Sequence, residues 1–409
     1  MDHKANNHPL RLALLLAVFS ALGPFTVDMY LASFPQMMTF FDTTASMIQA
    51  SLMACLLGLG LGQLVFGPLS DIHGRRKPLL FSMMLYLLSS LCCTVAPNIE
   101  IFIALRIVQG FAASAGLVIS RAIVRDMYNG VELTKFFALL TMISSAAPLL
   151  SPLAGSTVIT FTSWEGVFIF LGLLGICLTA ITTWGLKESL PVEQRVPNNF
   201  MELLGNYKTL IRNRIFMGYA LVKGFLFAGV FAYVSGTPFI YQNIYGVSPQ
   251  VFSMLFAMNG ISIMIGSQLV KQLAGRISER HILLIGLVLA FITSVSVLCV
   301  VLYQGPFFAL IIPLFFFTTS IGIVGPVAFT LGMELQGHIA GGASAILGIL
   351  PFLLGAIASP LVGLAGEYSA VPLGVILITT SLLSIIIYVT MTKKVKSEPA
   401  AQFRDVRST

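Results

Sequence analysis

The sequence predicts an all-α integral membrane protein with twelve transmembrane helices, and composition, apolar runs and the placement of basic residues all support this fold class. Of the 409 residues, 57% are hydrophobic and 10% are charged, whereas about a quarter of the residues in a soluble domain are charged. A bilayer accommodates such a chain because about 20 consecutive apolar residues span its core and a helix satisfies its own backbone polar groups.

Apolar runs bounded by Gly, Pro and polar residues mark the spans. The first run follows a basic N-terminus, as in a signal peptide, but it is long and further spans follow, so we interpret it as a retained helix. The spans lie near residues 10–34, 46–69, 78–96, 99–122, 135–160, 165–186, 215–241, 248–272, 280–302, 306–333, 339–365 and 370–392.

The longest polar stretch divides six spans from six, as expected for two bundles related by a parallel repeat. A weak internal match of Gln63-Leu64-Val65 to Gln268-Leu269-Val270, offset by about half the chain, agrees with such a repeat. The sequence therefore predicts an N-terminal six-helix bundle over residues 1–186, a central cytoplasmic loop over 187–214, and a C-terminal six-helix bundle with a short cytoplasmic tail over 215–409.

Basic residues indicate the orientation, because short cytoplasmic loops are enriched in Lys and Arg. With the N-terminus inside, all 23 Lys and Arg residues except Arg106 and Lys223 fall on the cytoplasmic side. The net charge of +7 therefore marks cytoplasmic loops and not a nucleic-acid surface. We expect a multi-pass protein of the inner (plasma) membrane with both termini in the cytoplasm.

No residue pattern indicates catalysis or a cofactor. The five His residues lack metal-ligand spacing, and the sequence contains neither a phosphate-binding loop nor a Ser/His/Asp arrangement on one side of the membrane. The five Cys residues all lie in apolar runs, and their odd number indicates no disulfide framework. The sequence thus predicts a protein that is not an enzyme, with no cofactor and no metal.

The loop between spans 2 and 3 reads GPLSDIHGRRKP over residues 67–78. By residue chemistry alone, an ordinary positive-inside turn explains this stretch equally well. The stretch resembles the signature loop of the major facilitator superfamily, G-x-x-x-D-R-x-G-R-R/K, with Ile72 in place of a usual basic residue. The resemblance implies the major facilitator fold, alternating access, and a cytoplasmic gating loop formed by Gly67, Asp71, Gly74, Arg75 and Arg76.

Two charged residues lie deep in the predicted spans at matching depth. Arg106 in span 4 lies about 10 Å, and Asp28 in span 1 about 9 Å, from the external end of its helix at 1.5 Å per residue. Desolvation favours a protonated carboxyl and a nearby guanidinium favours a carboxylate, so relative movement of the two would switch proton binding. A static ion pair of Arg106, and Asp28 as a cap of a helix break near Pro24, are the open alternatives.

Further stretches resemble the Bcr/CflA branch of drug/proton antiporters. They are DMYL at 28–31 followed by Phe34-Pro35, Arg125-Asp126, and APLLSPLAG at 147–155. Arg106, Gln109 and Gly110 match the R-x-x-Q-G motif, which is linked in antiporters to proton coupling. Ala32 replaces a usual Pro, which predicts a less kinked first helix. Pro148, Pro152 and Gly155 form the antiporter motif of span 5, which suits either bending or static packing.

The sequence therefore predicts proton-coupled efflux of drugs or other small amphipathic molecules by a monomer in the lipid bilayer, with Asp28 and Arg106 in coupling. Tyr30, Gln109 and Lys223 are candidates for the substrate cavity. Lys223 lies about 13 Å from the start of span 7, and it either attracts an anionic or carbonyl-bearing substrate, pairs with a carboxylate, or snorkels to the surface.

Three alternative functions remain. One is export of a physiological metabolite such as a sugar or a peptide, with drug transport incidental, and another is import by proton symport. The third is a membrane sensor, against which the lack of a sizeable soluble domain argues.

Overall fold

The computed structural model describes residues 9–128, 130–195, 208–334 and 340–392. The predicted C-terminal tail after Thr392 and the middle of the predicted central loop, residues 196–207, lie outside the described residues. The helices are α1 (Pro9–Asp28), α2 (Phe34–Phe40), α3 (Ala45–His73), α4 (Arg76–Thr94), α5 (Ile99–Met127), α6 (Gly130–Phe161), α7 (Trp164–Ala180), α8 (Arg214–Phe239), α9 (Pro249–Leu273), α10 (Glu279–Leu302), α11 (Phe307–Met333), α12 (Ala340–Leu361) and α13 (Val371–Ile387).

The twelve predicted spans are confirmed. Within the described residues, eleven helical segments are long and apolar enough to cross a bilayer, the first running from Leu15 to Phe40. The remaining span is α6, a single helix of 32 residues that contains the apolar stretch Ala147–Phe161. At the predicted external end, caps such as Thr44, Asn98 and Ser248 accept backbone N–H groups of the first helical turn.

The first span differs from the prediction, which was a helix ending near Phe34 and only slightly kinked. Instead, α1 ends at Asp28, a 3₁₀ turn follows over Leu31–Ser33, and α2 continues to Phe40. Pro35 provides no N–H for the carbonyl four residues earlier, and both the N–H and the hydroxyl of Ser33 bond to the Tyr30 carbonyl, at 3.0 and 2.6 Å. Ala32 therefore does not preserve a continuous helix, and Asp28 lies at the break of a span that continues to Phe40.

Glycines allow close helix packing in the first six spans. A Cβ on Gly58 of α3 would lie 2.1 Å from the Ile107 carbonyl oxygen of α5, and one on Gly110 of α5 would lie 2.0 Å from the Cys55 carbonyl oxygen. Any side chain at either position would separate α3 from α5. Gly110 of the R-x-x-Q-G motif is therefore a packing residue, and this packing fixes Arg106 one turn away.

The helices pack as two groups with two long contacts between them. In the first group α3 packs on α5, α4 on α7 and α1 on α6, and in the second α8 packs on α12, α9 on α11 and α10 on α11. Between the groups, α3 packs on α12 and α6 on α9. We call the end with the turns 41–44, 95–98 and 245–248 the outer end, and the end with the turns 74–75 and 274–278 the inner end. The domain boundaries themselves stay a prediction.

Candidate functional site

Arg106 is fully buried among the helices of the first six spans, and its charge is met by neutral groups. Nη1 donates to Oε1 of Gln109 at 2.5 Å, and Nη2 donates to the Thr26 carbonyl at 2.9 Å. The guanidinium also lies over the Tyr30 ring, 4.2 Å from its centroid. In the described part of the chain, Nε has no hydrogen-bond partner. The sequence-predicted residues Arg106, Gln109 and Tyr30 thus form one cluster.

The Thr26 carbonyl accepts this bond because α1 ends at Asp28. The last four carbonyls of a helix have no partner within the helix, and Arg106 satisfies one of them. The contact joins α5 to the break in the first span.

A chain of hydrogen bonds extends from Gln109 to α4 and back to α1. Gln109 donates from Nε2 to Oγ of Ser90 at 2.8 Å, and Ser90 in turn bonds to the Tyr86 carbonyl at 2.7 Å. The Tyr86 hydroxyl and the Thr26 hydroxyl are 2.8 Å apart. All four side chains are buried, so this polar network holds α1, α4 and α5 in one arrangement.

Asp28 does not meet Arg106, contrary to the expectation from matched depth. Among the described residues no carboxylate oxygen lies within 4.0 Å of the Arg106 guanidinium. Asp28 is 9% exposed, and its Oδ2 accepts a hydrogen bond from Oγ of Ser151 in α6 at 3.5 Å. The depth calculation assumed a first helix ending at Phe34, whereas the helix breaks at Asp28 and continues to Phe40.

The antiporter motif of α6 packs directly against this break. A Cβ on Gly155 would lie 1.8 Å from the Met29 carbonyl oxygen, so only glycine allows this approach. Pro148 and Pro152 lie within the same helix, and Ser151 between them contacts Asp28. The structure therefore brings the helix that carries Pro148, Pro152 and Gly155 beside Asp28. In the sequence, Asp28 and the span 5 motif were identified from separate features.

At the inner end, Arg75 is the centre of the loop predicted to gate the cytoplasmic side. Its guanidinium is 2% exposed and forms ion pairs with Asp71 at 2.6 Å and Asp126 at 2.7 Å. It also donates to the Ser70 hydroxyl at 2.8 Å. Arg125 lies 3.7 Å from Asp71. The signature loop is thereby tied to α5, and Asp71 keeps an exposed face.

Glu188, which follows α7, closes the same loop. Its carboxylate accepts the backbone N–H groups of Arg75 at 2.8 Å and Arg76 at 3.2 Å, at the start of α4. Gly74 has φ +87°, a conformation that favours glycine. A Cβ there would also lie 2.5 Å from Oε2 of Glu188, so a side chain would displace this carboxylate. The Arg76 guanidinium donates to the carbonyls of Thr182 and Thr183 at the end of the sixth span.

The pKa of Glu188 reflects these contacts. Partial burial by itself would raise the pKa, but the N–H groups of Arg75, Leu190 and Arg76, and the charge of Arg195, hold it below the ordinary value of 4.5. The carboxylate is therefore stabilised in its charged form, as expected for a cap at a helix N-terminus.

A cavity of about 390 Å³ lies at the inner end between the two groups of helices. It opens between α3, α5 and α12, and its polar lining includes Gln63, Asp71, Arg121, Arg125 and Ser344. Gly67 also lines it. The predicted gating loop therefore borders a space that a small molecule would enter from the inner end.

Lys223 lies in the second group of helices, away from Asp28 and Arg106. Its Nζ donates to the Leu347 carbonyl of α12 at 3.1 Å, and lies 5.6 Å and 5.1 Å from the ring centroids of Phe227 and Phe329. The side chain is half-buried. Among the described residues no carboxylate pairs with Lys223, and its ammonium reaches across to a neighbouring helix; attraction of a substrate and snorkelling stay predictions.

Sequence reasoning missed Ser151, Tyr86 and Glu188. Ser151 lies inside the span 5 motif, so its position beside two prolines was the available signal. Tyr86 and Glu188 carry no local signal, because their roles depend on helices distant in sequence.

The fold and these charged groups within the spans define a membrane transporter, not an enzyme. The chain matches the Major Facilitator Superfamily model over residues 14–360 and belongs to this superfamily. It is 47% identical over 387 residues to an uncharacterized MFS-type transporter, YdgK, of Bacillus subtilis (strain 168), covering 94% of this chain and 96% of that one.

Two other relatives have names that refer to drugs. The chain is 28% identical to the bicyclomycin resistance protein homolog of Haemophilus influenzae (93% of this chain, 96% of that one) and 30% identical to the chloramphenicol resistance protein of Pseudomonas aeruginosa (96% and 93%). These similarities confirm the resemblance to the drug-resistance branch. The fold is similar to that of a crystal structure of a bacterial homolog of the human lysosomal transporter Spinster (TM-score 0.77, 12% identity, 96% and 100% covered).

Proposed function

We propose that this protein exports drugs or other small amphipathic molecules in exchange for protons, as a monomer in the inner (plasma) membrane with both termini in the cytoplasm. The relatives named for chloramphenicol and bicyclomycin resistance support the substrate class. The concentration of Lys and Arg at one end of the spans supports the orientation.

The observation that carries the proton-coupling proposal is the contact between Asp28 and α6. An ionised carboxylate is costly inside the membrane, and the described residues offer Asp28 only a long hydrogen bond from Ser151. Helix α6 also packs on α9 of the other group. Adding or removing the Asp28 proton therefore changes the charge beside a helix of the first group that contacts the second group.

The transport cycle follows from this placement. A proton from outside binds the Asp28 carboxylate, neutralises it and favours substrate release, and the proton leaves to the cytoplasm when the inner end opens again. Arg106 stays charged throughout and holds the break in the first span through the Thr26 carbonyl. Tyr30 and Gln109 position the guanidinium.

The test is gradient-driven transport of labelled chloramphenicol into inside-out membrane vesicles. We expect wild type to accumulate the drug only with an imposed proton gradient. Asp28→Asn should lower this gradient-driven rate at least about tenfold, because the group that carries the proton is removed. The matched control is Asp42→Asn, since Asp42 lies in an outer turn at φ +47°, a conformation that Asn also adopts.

Two results would contradict the proposal. Full gradient-dependent transport by Asp28→Asn would exclude Asp28 as the proton carrier. No transport of chloramphenicol or of a fluorescent dye by wild type would contradict drug export and favour a metabolite exporter.

A further inference from the structure

Lys223 is a lysine ammonium inside the seventh span for which the described residues supply one hydrogen-bond acceptor. An ammonium has three N–H donors, and the described residues supply one acceptor, the Leu347 carbonyl at 3.1 Å. No described carboxylate lies within 4.0 Å of Nζ. Two donors of a half-buried cation are therefore available to a ligand.

The acceptor itself is a carbonyl of α12 that a proline leaves without its helical N–H partner. Pro351 lies within α12, four residues after Leu347, and it has no N–H to bond with the Leu347 carbonyl. The ammonium of Lys223 replaces this missing donor. The interaction is therefore between a side chain and a proline-weakened helix, and a stronger acceptor can compete for the same ammonium.

Lys223 is held less firmly than Arg106, the other cationic side chain deep inside the predicted spans. Arg106 also bonds to a backbone carbonyl that lacks a helical partner, but Arg106 is completely buried and is further fixed by Gln109 and the Tyr30 ring. Lys223 is partly exposed, and besides the Leu347 carbonyl the described residues offer its ammonium the aromatic faces of Phe227 and Phe329. Of the two cations, Lys223 is the one that can exchange its partner.

We propose that Lys223 is a substrate-recognition residue that binds the carboxylate of aromatic acids. The carboxylate takes up the spare N–H donors and replaces the Leu347 carbonyl, because a charged acceptor forms the stronger hydrogen bond. Phe227 and Phe329 pack against the aromatic part of the ligand. This proposal rests on the export function proposed above and names a substrate class within it.

Exchange at Lys223 also changes α12. Once the ammonium binds a ligand, the Leu347 carbonyl loses its donor, and α12 bends more easily near Pro351. Because α12 packs on α3 across the two groups of helices, binding at Lys223 acts on the contact that has to open during transport.

The test compares two ligands that share one aromatic scaffold, neutral chloramphenicol and its carboxylate derivative chloramphenicol hemisuccinate. Binding of each to the purified full chain is measured by equilibrium dialysis. Lys223→Met, which keeps the length and loses the charge, should weaken binding of the hemisuccinate about tenfold and of chloramphenicol less than about twofold, a tenfold change being one lost charged contact. Lys223→Arg should retain hemisuccinate binding, and the exposed Lys271→Met serves as the control.

Pro351→Ala separates recognition from a purely structural role. The new N–H at residue 351 bonds to the Leu347 carbonyl and releases Lys223, so hemisuccinate should bind about threefold more tightly while chloramphenicol binding is unchanged.

The proposal is overturned if Lys223→Met weakens both ligands equally, if Pro351→Ala does not tighten hemisuccinate binding, or if wild type does not bind hemisuccinate. These binding results do not depend on proton-driven transport. A selective loss of hemisuccinate binding in Lys223→Met would therefore support the proposal even if transport by Asp28→Asn vesicles contradicted proton antiport.

Discussion

Gly155 is the residue at which the packing of α6 on the first span is most sensitive to a single methyl group. A Cβ there meets the Met29 carbonyl oxygen at 1.8 Å and the carbonyl carbon at 2.7 Å. Backbone atoms cannot rotate away as a side-chain end can, so the helices must separate. Overpacking of this kind typically costs about 1–3 kcal/mol.

We therefore expect Gly155→Ala to lower the thermal midpoint of the purified protein and to reduce drug transport, because Ser151 is moved away from Asp28. The control is Gly23→Ala in α1, where a Cβ would lie 3.6 Å from the Leu59 side chain, an ordinary contact. Alanine favours a helix over glycine by about 0.5–1 kcal/mol, so the control should be as stable as wild type or slightly more so. Equal effects of the two substitutions would refute the close contact.

At the scale of single residues, the sequence located the charged residues within the spans better than it predicted their partners. Isolation of charge within apolar runs was enough to select Asp28, Arg106 and Lys223. Their contacts depend on the helix break after Asp28, on Pro351 within α12, and on how the helices are rotated against one another. Asp28 contacts Ser151 and Arg106 contacts the Thr26 carbonyl, and neither pairing follows from depth alone.

At the scale of the helices, the start of α4 depends on a residue more than a hundred positions away. The caps of α3, α5 and α9 are local side chains, whereas Arg75 at the start of α4 makes no side-chain cap to its own helix. Glu188 supplies the missing acceptor. The sixth span and the signature loop are therefore joined by a cap, which no local pattern could predict.

Glu188→Gln should destabilise the protein at neutral pH by up to about 1 kcal/mol, the usual cost of weakening a helix cap. The sign of the pH dependence follows from the lowered pKa. Stability contributed by a carboxyl with a lowered pKa is fully present above its ordinary value of 4.5 and is lost as the pH falls through the folded pKa. The difference in thermal midpoint between wild type and Glu188→Gln should therefore shrink as the pH falls below 4.5 and through the lowered pKa of Glu188.

The nearby Glu193→Gln is the control for this experiment, because Glu193 is exposed and caps no described helix. We expect it to match wild type at every pH. A gap between wild type and Glu188→Gln that stays constant down to the acid limit would mean that protonating the carboxyl does not weaken the cap and that the cap needs no charge.

The sequence predicted the positions of the helices except in the first span. There Pro35 has no N–H to donate to the carbonyl four residues earlier. Long apolar runs bounded by Gly, Pro and polar residues predicted twelve spans, and all twelve are present. The break at Asp28 was missed because the run remains apolar through Leu31–Ser33, and the effect of Pro35 shows only in the hydrogen bonds that turn back to Tyr30.

At the scale of the whole molecule, the two groups of helices use the same packing device. In the first group, α3 and α5 approach through Gly58 and Gly110 against backbone carbonyls. In the second, a Cβ on Gly266 of α9 would lie 2.1 Å from the Thr319 carbonyl oxygen of α11, and one on Gly322 of α11 would lie 2.1 Å from that of Ile263. These pairs are spans 2 and 4 and spans 8 and 10, as a parallel repeat requires.

Polar contacts join the two groups at the outer end, opposite the inner cavity. Ser46 donates from Oγ to the Pro360 carbonyl at 2.8 Å, and Gln49 donates to the Ser235 carbonyl at 3.3 Å. Gln242 reaches the Ala32 carbonyl in the 3₁₀ turn at 3.2 Å. Because packed interfaces are bistable, breaking these contacts should shift the molecule towards an arrangement with the inner cavity closed.

Gly363, just after α12, is the position at which to break them. A Cβ there would lie 2.5 Å from the backbone nitrogen of Ser46, so Gly363→Val forces the outer end apart. An overpacking cost of about 1–3 kcal/mol moves a two-state equilibrium by about tenfold or more. Leu364→Val is the control, because Leu364 is exposed and its side chain takes no part in the outer contacts.

The readout is a cysteine at Ser344, which lines the inner cavity, in a background whose five native cysteines are replaced by alanine. A membrane-impermeant maleimide added to inside-out vesicles labels this cysteine only while the inner cavity is open. We expect Gly363→Val to slow the labelling about tenfold, in step with the shifted equilibrium, and Leu364→Val to leave it unchanged. Unchanged labelling in a folded Gly363→Val protein would mean that opening of the outer end is not linked to closure of the inner cavity, and alternating access through these two interfaces would have to be abandoned.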